Sequence, residues 1–244
     1  MTTVPLIDYL LVERALSGVL PLDQLNSAEK DFCQKYKPAF EVGLLARRMA
    51  QGYYAHNAAI EIAKGPHAKA VASKTPLGQI SSYVTRNDGT QHTFNLSYYL
   101  NQVHTNPDIA DELPRVWLVG SLLAVGDALG TRQNRYFDHA PVLELFYHLR
   151  NGVAHGNVFH FNATGLNRLN KYRAHNKMAG VKSETKAEFE IVAGLQGKPV
   201  LFAFMGPGDV LDLLQSVEVY LTRIRERHAA GELSGLLKAV AHSP

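Results

Sequence analysis

The sequence predicts a mainly α-helical bundle of four or more helices carrying one or two short inserted β-hairpins. Three observations predict it. Apolar residues recur at spacings of three and four over several long stretches, as they do on one face of a helix. Strict alternation of apolar and polar residues is confined to short segments around turn residues. The 244 residues are 46% hydrophobic and 19% charged, an ordinary globular balance that excludes a disordered chain, a collagen-like repeat or a disulfide-stapled mini-fold.

The elements follow in chain order. The first 25 or so residues read as an N-terminal extension; Asp8, Glu13 and Arg14 interrupt its apolar stretch, which argues against a secretory signal. Between 38 and 63, Val42, Leu45, Met49, Tyr53, His56 and Ile60 form one helical stripe. That helix is expected to begin near Asn26 or Ser27, to tolerate Pro38 through a kink, and to stop at Gly65-Pro66. Residues 81–95 place β-rich ends on either side of Asn87-Asp88-Gly89 and predict a hairpin. A helix is expected at 96–102 and an apolar one at about 113–129. The apolar run of 116–125, bracketed by Arg115 and Asp127, is half the length of a membrane span and reads as a buried helix. Gly120 and Gly126 within it are expected to permit close packing.

Asp138 is the expected N-cap, and Pro141 the first turn, of a helix running toward Arg150 with Val142, Leu145, Phe146 and Leu149 on one face. The polar stretch after Phe161 reads as a loop. The alternation in 188–194 and 199–205, joined across residues 195–198, predicts a second hairpin, so that an insertion spans about 162–205. Gly208-Asp209 opens a last helix whose Val210, Leu213, Leu214, Val217, Leu221 and Ile224 share a side, ending near Arg227 or His228. No linker separates two domains, and residues 1–244 are read as one.

Lysine plus arginine number 25 against 22 for aspartate plus glutamate, a net charge of +3. That is too little for a nucleic-acid coat built on bulk charge. The single Cys33 cannot close an internal disulfide, which fits a reducing, cytoplasmic setting. Chemistry is concentrated in residues 146–161, FYHLRNGVAHGNVFHF, where Arg150-Asn151 is followed by His155 at the end of an apolar helix, between Gly152 and Gly156. Arginine is a permanent cation whose planar fork matches phosphate, and histidine exchanges a proton near neutral pH. In an unbroken helix His155 lies about 140° around from Arg150, while Asn151 and His155 share a face. Either Arg150 reaches around, or Gly152 breaks the helix and brings the groups together.

Arg150, Asn151 and His155, with the apolar helix before them and small residues around the histidine, resemble the HEPN (higher eukaryotes and prokaryotes nucleotide-binding) superfamily. Its signature is an arginine, commonly followed by a polar residue such as asparagine, with a histidine after four to six intervening positions. The resemblance covers about a dozen residues and a helical outline. It implies a metal-independent endoribonuclease, acting as a homodimer whose two motifs form one composite cleft. His155 then serves as base in one copy and acid in the other, Arg150 stabilises phosphoryl charge, and the product is a 2′,3′-cyclic phosphate. It also implies a toxin or defence setting with an antitoxin or other regulatory partner. Some such toxins carry a tyrosine two residues after the histidine, where an antitoxin attaches nucleotides; this chain has Asn157, so that mode of silencing is not implied.

Two other readings of the same residues stand beside this one: a non-catalytic HEPN-like module that binds nucleotide or protein, and a helical oligomerisation protein. Arg168, Lys171, Tyr172 and Arg173, with Lys177, mix cations with an aromatic ring, as an RNA-contacting loop or a merely solvated one would. His148, His155 and His160 lack the spacing and the cysteines of common zinc sites, and neither metal nor cofactor is expected. His56 reads as a core histidine, and Cys33 as structural.

Overall fold

The computed structural model describes residues 7–74, 81–132, 134–177 and 187–229. In chain order these hold α1 (Tyr9–Leu16), α2 (Ser27–Lys64), α3 (Pro66–Lys74), β1 (Ser81–Thr85), β2 (Gln91–Asn95), α4 (Leu96–Thr105), α5 (Pro107–Gly130), α6 (Pro141–Ala154), α7 (Ala163–Lys171), α8 (Pro207–Thr222) and α9 (Ile224–Ala229). The architecture is mainly α with one antiparallel two-stranded hairpin. Two compact units are present: residues 1–50 with 119–244, and residues 51–118. The boundary falls inside α2 and α5 rather than in a linker, which is why composition does not mark it.

Helix α2 begins where the sequence places it. The Asn26 side chain accepts from the Glu29 N–H at 2.9 Å, and the Glu29 carboxylate accepts from the Asn26 N–H at 2.9 Å, a reciprocal capping box. The other Glu29 oxygen accepts from the Asp8 N–H at 3.0 Å, which ties the start of α1 to the same cap. Pro38 lies within α2 without ending it.

The core of the larger unit is built from fully buried Leu122, Val125 and Leu129 of α5, Leu145 and Leu149 of α6, and Leu213 of α8. Among the described helices α5 alone is long and apolar enough to cross a membrane. Leu118, Leu122, Val125 and Leu129 form its buried stripe, while Val116 is exposed, so the expected buried helix is buried along one side only.

In the smaller unit the expected hairpin is present, with Tyr83 opposite Thr93. Its turn places Gly89 at φ +83°, a conformation that glycine adopts without steric cost. His56 stacks on Trp117 with ring centroids 5.4 Å apart. Gly52 makes the close approach possible, since a Cβ there would lie 2.3 Å from the indole.

Three expectations are corrected. Helix α6 starts at Pro141 with Ala140 as its cap residue, and Asp138 is not the N-cap. The chain between α5 and α6 takes left-handed backbone at Arg135, Tyr136, Phe137 and His139, which turns Asp138 away from the first helical N–H groups. Its carboxylate instead accepts from the Ala140 N–H at 3.1 Å and from the Tyr220 hydroxyl.

The polar stretch after Phe161 contains a helix, α7, capped by Asn162 accepting from the Gly165 N–H at 2.8 Å; residues 178–186 of the expected loop lie outside the described residues. The second hairpin is absent among the described residues. Its halves pair with earlier chain rather than with each other: the Phe159 N–H donates to Lys198 O and the Ile191 N–H to Ala174 O, both at 2.9 Å. Alternation reported burial correctly, for Ile191, Val200, Leu201 and Met205 are buried, but periodicity does not specify the partner strand.

Candidate functional site

Residues 141–154 form one uninterrupted helix, so Gly152 does not break it. Gly152 has another use. A Cβ there would lie 2.4 Å from the Val200 side chain and 3.3 Å from Val158 O, so glycine lets the 157–201 pairing close against the helix. His155 is the C-cap residue; its backbone N–H is shared between Asn151 O at 3.1 Å and Gly152 O at 3.2 Å. Gly156 and Asn157 follow in left-handed backbone, at φ +82° and +63°, and reverse the chain. Asparagine tolerates that conformation better than most residues. Its side chain also clamps the Leu201 backbone, donating to the carbonyl at 3.1 Å and accepting from the N–H at 2.8 Å. Position 157 is therefore structurally committed.

Arg150 faces α5. Its Nε and Nη2 donate to one Asp127 oxygen at 2.8 and 2.5 Å, and Nη1 donates to the Asn151 side-chain oxygen at 3.3 Å. A guanidinium carries five N–H groups, so a donor is left on each terminal nitrogen. The alkyl stem lies over Gly126, where a Cβ would come within 2.4 Å of Arg150 Cγ. Gly126 thus serves the close packing expected of it; Gly120 has nothing against it within 4 Å.

The His155 side chain is exposed, tilted toward His160 with ring centroids 6.1 Å apart. Within one chain the structure joins Arg150 to Asn151 and does not join either side chain to the imidazole. The unbroken helix sets the separation from Arg150, as five residues carry His155 about 140° around the axis.

Arg168, Lys171, Tyr172 and Arg173 do not form a free basic loop. Arg168 reaches into the protein from α7, donating from Nε to one oxygen of Glu144 at 2.6 Å and from Nη2 to the other at 2.7 Å. Its guanidinium lies 3.9 Å from the Tyr147 ring centre and 5.0 Å from that of Tyr136. Glu144 is fully buried, and His139 Nδ1 lies 2.6 Å from it. Tyr172 stacks on His139 at 4.1 Å. Arg173 pairs with Glu190 at 2.9 Å and Lys177 with Glu188 at 2.7 Å. Lys171 sits 5.0 Å from the Tyr172 ring centre.

Sequence reasoning missed Glu144 and Asp127. A carboxylate within the apolar run PVLELFY was the available signal for Glu144, because a buried carboxylate requires a cationic partner. Asp127 carried no local signal beyond its place beside Gly126.

His148 is buried, with Nε2 lacking a partner. Burial pushes its imidazole down to about 4, against the opposing pull of Glu144. Below the ordinary value near 6.5 the unfolded chain takes up a proton that folded His148 does not. Stability present at neutral pH is therefore lost as pH falls from about 6.5 to about 4, by up to roughly 3 kcal/mol. His148→Phe is expected to flatten that slope in urea unfolding measured at pH 7 and pH 4.5; an unchanged slope refutes the assignment. Among the described residues no three of the histidine, cysteine and carboxylate side chains converge on a metal position.

Comparison of the chain with family models, with characterised proteins and with solved structures finds no match.

Proposed function

We propose that this protein is a metal-independent endoribonuclease of HEPN type. It cleaves RNA by transesterification and leaves a 2′,3′-cyclic phosphate. One observation carries the reading: Arg150, Asn151 and His155 stand on the last turn and cap of α6, with the guanidinium anchored from two sides and the imidazole in solvent. His155 removes the ribose 2′-OH proton, the oxygen attacks the adjacent phosphorus, and the partner's His155 protonates the departing 5′-oxygen. The free donors of Arg150 take up charge developing on the non-bridging oxygens.

The separation of the two groups within one chain supports a homodimer. A twofold axis supplies a second arginine and a second histidine to one cleft, and it doubles positive charge there without raising the modest net charge of each chain. The buried free thiol of Cys33 agrees with a cytoplasmic setting. A toxin or defence role, restrained by an antitoxin or other partner, completes the proposal.

A second reading has an observation of its own. Asp127 already neutralises Arg150, as it would in a HEPN-like binding or oligomerisation module that does not cleave.

Incubation of the purified protein with end-labelled RNA in excess EDTA separates the two. The nuclease yields cyclic-phosphate ends, spares DNA, which lacks the 2′-OH nucleophile, and loses activity in Arg150→Ala. Equal cleavage by wild type and variant, or abolition by EDTA, overturns it. Sedimentation at micromolar concentration is expected to give about twice 26.9 kDa; a strict monomer with full activity excludes the shared cleft.

A further inference from the structure

In the larger unit a cavity of about 470 Å³ opens between the C-terminal end of α1, the turn after it and the first half of α2. Ala15, Leu16 and Leu22 form one wall; Lys30, Cys33 and Lys37 form the other. Spaced by three and four residues, the latter three share one face of α2. The two lysines stand on either side of the thiol, and their charge is unequally matched. Lys37 lies 3.8 Å from Glu41, whereas Lys30 has no ion-pair partner among the described residues. Burial and nearby Glu29 push the Cys33 thiol up, so it stays uncharged and behaves as a small apolar group. The cavity thus sets an apolar wall on α1 and its turn against a mixed wall on α2, where Gln34 and the Lys37–Glu41 pair flank Cys33 and Lys30 is the one uncompensated cation; its volume lies within the range of small-molecule pockets.

We propose that it binds a free medium-chain fatty acid, with the acyl chain against Ala15, Leu16, Leu22 and Cys33 and the carboxylate at the Lys30 ammonium. The apolar chain is the ligand body suited to the surface of Ala15, Leu16, Leu22 and Cys33. The lone carboxylate answers the one unpaired cation. This site is independent of the α6 motif, and its test does not depend on nuclease activity.

Calorimetric titration of the full chain with octanoate, decanoate and laurate, each below its micellar concentration, reads the walls directly. Affinity is expected to rise about fourfold for each methylene added, the factor that burial of one such group supplies. Lys30→Glu, a change at an exposed position, is expected to weaken laurate at least about tenfold while leaving dodecanol binding unchanged. Absence of saturable binding, affinity independent of chain length, or equal loss of laurate and dodecanol in Lys30→Glu overturns the proposal.

Discussion

His155→Ala is expected to lower RNA cleavage by about 10² to 10⁴, the range for loss of one positioned general acid or base. The side chain is exposed at the C-cap, and only its backbone N–H takes part in the cap, so the fold is expected to survive within about 0.5 kcal/mol. That separation makes the experiment decisive: urea unfolding stays level while the rate collapses. Under the composite-site reading a heterodimer of one wild-type and one His155→Ala chain retains either the base or the acid, not both, and is expected to cleave poorly. Full activity in the homodimeric variant would sink the assignment. Half-maximal activity in the mixed dimer would show two independent sites instead of a shared cleft.

Arg168→Met is expected to cost about 3 to 5 kcal/mol of stability, the usual consequence of leaving a buried charge without its partner. Glu144 is fully buried and both of its oxygens accept from Arg168. Truncation leaves the carboxylate with His139 alone, and it also removes a cation stacked on Tyr147. Lys171→Ala and Arg173→Ala, at exposed positions, are expected to change stability by less than about 0.5 kcal/mol. Chemical denaturation at pH 7 checks all three. Glu144→Leu placed in the Arg168→Met background is expected to recover much of the loss, because an apolar replacement of both partners removes the unpaired charge. A small effect of Arg168→Met would mean that the guanidinium is free to serve RNA after all.

These two residues illustrate what was legible before the fold was known. Type and spacing single out Arg150, Asn151 and His155 as a candidate site; the structure brings Arg150 to Asn151 and leaves the imidazole apart in solvent. Arg168, read from its mixture of cations with an aromatic ring as part of a loop, serves the interior, since a sequence displays a guanidinium without displaying the carboxylate that claims it. Glu144 lies 24 residues away from it in the chain, and no local pattern links the pair.

Local pattern determined α2, α4, α5, α6 and α8, the cap of α2 and one hairpin. Asn26 and Glu29 are three residues apart and bond to each other; Asn87-Asp88-Gly89 contains its own turn; the stripe from Val42 to Ile60 follows from the helical repeat. Each depends on neighbours within about one turn of chain. Tertiary structure alone decided the rest: that 188–194 and 199–205 pair with 174–176 and 157–159 rather than with each other, that left-handed backbone at Arg135, Tyr136, Phe137 and His139 displaces Asp138 from the α6 cap, and that Asp127 and Gly126 on α5 hold Arg150. The physical reason is common to all three. A backbone N–H, a carboxylate or a patch of apolar surface states what it needs to be paired with, and many partners in a chain can meet that need; only packing in three dimensions selects one.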